Sequence, residues 1–159
     1  HGQVGMTWIP YLGADCLLIA NDHIMDNTLL LTSIRMAKPS GVKLVIKTIE
    51  DSIAALNSGV TDKYNLMIVV DSIEDAYRLL KKTGFKQLNI GATRFAVGKK
   101  QVLDGVYLDE QDMGRVRELA QDGVHMEVQM IPSKPKTDIM TLILLELERI
   151  GGVQCLLKR

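Results

Sequence analysis

His1-Gly2-Gln3-Val4 stands ahead of an amphipathic segment running from Met6 to Leu12. That order puts an imidazole at the start of a helix, where backbone N–H groups without partners inside the helix attract anions. A histidine nucleophile in such a place is suited to phosphate chemistry, because a covalent intermediate splits one transfer into two easier steps. Asn21-Asp22 follows the apolar run Cys16–Ala20, and Asp71 follows the apolar run Leu66–Val70. Asp22 at a strand end could accept an N–H bond from an imidazole and fix its tautomer, or serve as an ordinary helix-start aspartate. Gly91 opens a loop that reaches Lys100, and within it Thr93 and Arg94 are candidates to bind phosphate or face a partner.

Other chemistries are poorly supplied. His23 and His125 lack acidic or cysteine neighbours at ligand spacing, so no metal site is expected. The spacing of Gly91 and Gly98 is not that of a dinucleotide fingerprint, and no cofactor is implied. The eight methionines fall within helical and strand patterns and read as core fillers. Lys99-Lys100 reads as a solvated pair.

The elements that must position these residues are strands exchanging with helices, in six alternations. Cys16–Ala20 is a strand, Asn21-Asp22 a turn, and Ile24 to Ala37 a helix closed by Pro39. Val42 to Lys47 alternates apolar residues with lysine, as a strand near an edge does, and Glu50 to Asn57 is a helix ending at Gly59. Leu66–Val70 is apolar throughout, which predicts a central parallel strand, and Ser72 starts the next helix, which ends at Gly84. Gln87 to Ile90 and Gln101 to Leu108 are strands, Asp109 caps a helix to Gln121, and Val124 to Ile131 is the last strand of the main body. Thr137 to Ile150 is a strongly apolar helix. This order predicts an α/β fold with an open, doubly wound, mainly parallel sheet and helices on both faces. Ligands in such sheets bind beyond the carboxyl ends of the strands, at Asn21-Asp22, Asp71-Ser72 and Gly91 to Gly98.

The chain has 159 residues, the size of one domain, with 1–150 read as that domain and 151–159 as a tail. Nineteen basic and nineteen acidic residues give no net field toward nucleic acid, and no apolar run is long enough to span a membrane. Cys16 and Cys155 stand alone in apolar surroundings, as reduced thiols do. The chain opens at His1 without Met or a signal pattern, which leads us to expect that the gene product begins upstream.

His1-Gly2-Gln3-Val4 with Trp8, then Asn21-Asp22, Ala37-Lys38-Pro39-Ser40-Gly41-Val42-Lys43, Leu88-Asn89-Ile90-Gly91, Gly98-Lys99-Lys100-Gln101 and Ile131-Pro132-Ser133 are ordered landmarks. Together they resemble the IIB component of the mannose, fructose and sorbose family of the bacterial phosphotransferase system, from His1 to about Ile143. The resemblance implies a cytoplasmic phosphoryl carrier, peripherally associated with a membrane permease. His1 would take phosphate from the phosphohistidine of the IIA component and give it to a sugar entering through the IIC and IID membrane components. Gly2, Gln3, Asn21, Asp22, Gly91, Thr93 and Arg94 would surround the phosphate or face the partner. Family members carry an Arg- and Asp-rich first central strand immediately before the histidine, and this sequence does not contain it; Ala92 stands where many relatives have a second glycine. The alternative is a receiver-like signalling module phosphorylated on Asp71, with Asn21-Asp22 as acidic neighbours for Mg²⁺.

Overall fold

The computed structural model describes the backbone of residues 2–151 and the side chains of 7–149. The chain divides into two compact units, residues 1–85 and 86–159.

The first unit opens with helix α1, Gly2–Leu12. Gly13 ends it at a φ of 62°, where a side chain would be strained, and the chain turns back as Ala14 N–H bonds Ile9 O at 3.0 Å. The Asn65 side chain donates to the carbonyls of Leu12 and Gly13, so the helix end is tied from afar. Strand β1, Cys16–Ala20, is buried along its whole length. It pairs in parallel with β2, Lys43–Lys47, on one side and β3, Leu66–Val70, on the other, with Leu18 opposite both Val45 and Ile68.

Alternation along β1 assigns its two faces. Leu17 and Ile19 pack with Ile9 of α1, Ile24, and Ile34 of helix α2, Thr28–Met36. Leu18 and Ala20 pack with Ile49, Ile53 and Leu56 of α3, Ile49–Asn57, and Leu79 of α4, Ile73–Lys82. Both faces of this sheet are therefore covered, which is why the strand reads apolar without interruption. Each of these large side chains contributes roughly 1.5–3 kcal/mol by leaving water.

In the second unit β4, Gln87–Ile90, lies parallel to β7, His125–Val128, whose other side carries the short antiparallel strand β8, Thr137–Asp138. Between them in sequence come the antiparallel hairpin of β5, Lys100–Leu103, and β6, Val106–Leu108, and helix α5, Glu110–Gln121. Asp109 starts α5 with a reciprocal capping box: Asp112 N–H donates to its carboxylate at 2.8 Å, and its own N–H reaches Asp112. Helix α6, Ile139–Gly151, packs against α5, β5, β7 and β8, with Ile139 and Ile143 fully buried.

The α/β class is as expected, with several local corrections. Ile24–Asp26 is a single 3-10 turn, and α2 begins only after Asn27, whose side chain accepts Leu30 N–H at 3.0 Å. The expected continuous helix from Ile24 is broken because Asn27 caps better than it propagates. Among the described residues β1 is the middle strand and β3 is flanked only by β1, the reverse of the expectation that Leu66–Val70 is central. Its side chains are half-buried, whereas those of β1 are fully buried. Gln101 to Leu108 is two strands, because Asp104-Gly105 turns the chain with Gly105 at a φ of 75°. Thr137 and Asp138 belong to β8, so the last helix starts two residues later than expected.

Candidate functional site

The expected acceptor, His1, lies outside the described residues. Gly2 and Gln3 form the first turn of α1, whose leading backbone N–H groups have no acceptor within the helix. The expectation that this segment is helical therefore extends back to the residue after the histidine.

Asn21 and Asp22 come together at the carboxyl end of β1 and do different work. Asn21 is buried, and its Oδ1 accepts His23 N–H at 2.7 Å and Ile24 N–H at 3.0 Å, building the turn that leads to α2. Its own N–H continues the ladder to Lys47 O. Asp22 reaches outward. Its Oδ1 accepts Ile49 N–H at 2.9 Å, at the start of α3, and its Oδ2 accepts the Arg78 guanidinium of α4 at 2.7 Å. The Arg78 guanidinium, helped by the Ile49 N–H, holds the Asp22 carboxyl below its usual range, and Asp22 in turn raises Arg78. Arg78 also approaches Glu50 at 3.4 Å and Asp75 at 3.5 Å, while Lys82 pairs with Glu50 at 3.0 Å. An imidazole donating to Asp22 would share an oxygen that already has a partner.

Gly91, Thr93 and Arg94 sit together in the loop after β4, in the second unit. Thr93 is a clamp: its Oγ1 donates to Tyr107 O at 2.8 Å and accepts Tyr107 N–H at 2.6 Å, and its N–H bonds Gly105 O at 3.0 Å. Lys99 is a second clamp, with its ammonium 2.7 Å from Asp112, a carboxylate buried at the start of α5. It is therefore not the simple solvated lysine the sequence suggests. Between the two clamps, Phe95 and Val97 are exposed, and Phe95 lies edge-on to Tyr107 with ring centroids 5.5 Å apart. Arg94 is exposed on the same stretch.

Sequence reasoning did not find Arg78 or Tyr107. Arg78 lies mid-helix among ordinary charged residues, and Tyr107 takes part through its backbone, so neither leaves a local signal. Asp112 was legible in principle, since an aspartate three residues after the Asp109 cap is the spacing of a capping box. Asp71 follows β3, and Ser72 caps α4 by accepting Asp75 N–H at 3.0 Å. No group of three His, Cys, Asp or Glu residues that could hold a metal ion occurs among the described residues.

A family model described as the PTS system sorbose subfamily IIB component matches residues 1–150. The chain belongs to this IIB family. The match displaces the receiver-like reading of Asp71. The PTS sorbose-specific EIIB component of Klebsiella pneumoniae is 28% identical over 144 residues, covering 90% of this chain and 88% of that protein. The N-acetylgalactosamine-specific phosphotransferase enzyme IIB component 1 of Escherichia coli K12 is 32% identical over 146 residues, covering 87% and 89%. Among solved structures, the IIBSor domain of the K. pneumoniae sorbose permease superposes with a TM-score of 0.85 at 28% identity, over 91% of this chain and 89% of that one. IIB components are parts of a phosphotransferase system, and phosphotransferase chemistry is the general activity this membership carries. Among the described residues no helix of this IIB chain is long and apolar enough to cross a membrane.

Proposed function

We propose that this IIB chain is a phosphoryl carrier that accepts phosphate on His1 from the phosphohistidine of a IIA component and delivers it to a sugar entering through IIC and IID membrane components. The observation that carries this reading is the family match over residues 1–150, which includes His1 followed directly by a helix whose first backbone N–H groups have no acceptor within the helix. In the step proposed, an unprotonated imidazole nitrogen of His1 attacks phosphorus. The P–N bond of the donor breaks as the new P–N bond forms, and the donor imidazole leaves with its electron pair. The transferring group is loosely bonded at the transition state, so positioning and positive electrostatics carry most of the catalysis, and the helix start supplies both. No metal or cofactor enters this reading.

Asn21 and Asp22 enter it as positioning residues. Asn21 shapes the turn after β1, and Asp22 anchors that turn to α3 and α4 with its charge offset by Arg78. Thr93 likewise acts by holding its loop, leaving Arg94 as the partner-facing member. The relatives are named for sorbose, N-acetylgalactosamine, fructose and mannose, and the sugar in this reading is whichever one the membrane components bind. It places the protein in the cytoplasm, at the permease.

The test is phosphoryl transfer from phosphorylated IIA, read by mass spectrometry of the intact chain and its peptides. One phosphoryl group on the His1 peptide, labile in acid, stable in base and absent from His1→Ala, is expected. Label on Asp71 that is lost in base would overturn the reading in favour of an acyl phosphate.

A further inference from the structure

Two lysines converge on one phenol at the amino end of the first sheet. Gly59 ends α3 at a φ of 76°, and turns closed by Asp62 N–H to Gly59 O at 3.1 Å and Tyr64 N–H to Thr61 O at 3.0 Å carry the chain to β3. Asp15 then fixes where the strands begin: its N–H bonds Asn65 O at 3.0 Å, and its carbonyl accepts Lys43 N–H at 2.9 Å. Lys43, the first residue of β2, and Tyr64, just ahead of β3, are thereby set on either side of the start of β1. Their side chains meet across it. The Lys43 ammonium donates to the Tyr64 hydroxyl at 2.8 Å and lies 4.7 Å from the ring centroid, and the Lys63 ammonium lies 5.3 Å from the same centroid.

A phenol oxygen that accepts from a cation is stabilised more as the anion than as the neutral group. The Lys43 ammonium, by its hydrogen bond and its charge, holds the Tyr64 hydroxyl below the usual phenol range; Lys63 acts in the same direction, and the bond to Tyr64 raises Lys43. The phenolate is the nucleophilic form of tyrosine, so cations that favour it activate the side chain. Lys43 stays an ammonium at neutral pH and does not compete as a nucleophile. Both lysines are exposed and Tyr64 is half-buried, with its bond to Lys43 open to solvent, so a small reagent reaches the oxygen.

We propose that Tyr64, bracketed by Lys43 and Lys63, is a nucleophilic modification site for sulfonyl electrophiles, and that an aryl sulfonyl fluoride carrying a carboxylate fits it. In the step, the hydroxyl proton passes to solvent and the phenolate oxygen attacks sulfur. An O–S bond forms as the S–F bond breaks, and fluoride leaves with the electron pair. The carboxylate of the reagent complements the two ammonium groups. The site is separate from the carrier reading, because Asn21 and Asp22 lie past the other end of β1, about 16 Å along the strand. Accessibility alone would favour Tyr11, which is 58% exposed.

The experiment treats the full chain with fluorosulfonylbenzoate at neutral pH and follows each of the four tyrosines by tandem mass spectrometry. Wild type is compared with Lys43→Met, Lys43→Arg and Lys63→Met, with thermal unfolding of each variant to verify its fold. Tyr64 is expected to label first. Lys43→Met is expected to slow Tyr64 about threefold, and Lys63→Met about twofold, as the phenolate loses a neighbouring cation. The rising limb of the pH–rate profile at Tyr64 moves to higher pH in Lys43→Met, and Lys43→Arg, which keeps the charge, restores both rate and profile. Should Lys43→Met fail to fold, Lys63→Met, altered at an exposed turn residue, decides the same question. Labelling of Tyr11 ahead of Tyr64 would overturn the inference, as would label on Lys43 or Lys63 in place of Tyr64. So would a Tyr64 rate unchanged in the folded lysine variants, or a lead for Tyr64 that persists in urea, where the contact with Lys43 is lost.

Discussion

Removing Asp22 tests whether the carboxyl end of β1 is held by the network drawn from it. Asp22 makes two bonds, to Ile49 N–H at 2.9 Å and to Arg78 at 2.7 Å, and both ion-pair side chains are about one-third exposed. A solvent-screened pair of that kind contributes roughly 0.2–1 kcal/mol. Loss of a side-chain acceptor at the first N–H of a helix costs about 1 kcal/mol. Asp22→Ala is therefore expected to cost about 1–2 kcal/mol, and Arg78→Met less than about 1 kcal/mol because methionine keeps the apolar stem. A double-mutant cycle should return a coupling of about 0.5–1 kcal/mol. Urea unfolding followed by far-UV circular dichroism at pH 7 supplies the values. The carboxyl is held below its ordinary 3.8. Its contribution is thus fully present above about pH 5 and lost as the pH falls through the folded-state value, so the gap between wild type and Asp22→Ala should close with acid. A coupling near zero, or a gap that stays constant down to pH 2.5, would refute the assignment of Asp22 as an anchor.

Three further outcomes follow from the geometry. Thr93→Val removes both hydroxyl bonds to Tyr107 and is expected to cost about 1–3 kcal/mol, with faster hydrogen exchange at the Tyr107 amide, while Thr93→Ser restores most of the loss. Gly105→Ala places a side chain at a φ of 75° and its Cβ 3.2 Å from the Met130 methyl, so a loss of about 1–2 kcal/mol in the same urea assay is expected. Burial pushes the Cys16 thiol above its usual range, so iodoacetamide should modify it far more slowly in the native protein than in urea, as read from the mass of its peptide.

Much of this fold was legible because period and punctuation agree with burial. Cys16–Ala20 and Leu66–Val70 are strands at the residues expected, and Ser72 and Asp109 cap the helices that follow them. What failed was the order of strands. Leu66–Val70 and Cys16–Ala20 are both apolar runs, and composition does not say which has neighbours on both sides among the described residues. The hairpin at Asp104-Gly105 was missed because the residues around it read as one apolar stretch, although the turn dipeptide was in view. At the site, the types and positions of Asn21, Asp22 and Thr93 were visible, but their partners were not. Asp22 meets Arg78 across 56 positions and Thr93 meets Tyr107 across 14, and contacts at such separation leave no local pattern.

The clamps at Thr93 and Lys99 bear on how a loop of this kind diversifies. Thr93 holds it through the backbone of Gly105 and Tyr107, and Lys99 through a carboxylate on α5. Residues 94–98 lie between those fixed points with side chains largely in solvent. Substitutions there change the shape and charge offered to a visitor while leaving the core untouched. The intervening stretch can drift in sequence as partners drift, with its path across the surface already set.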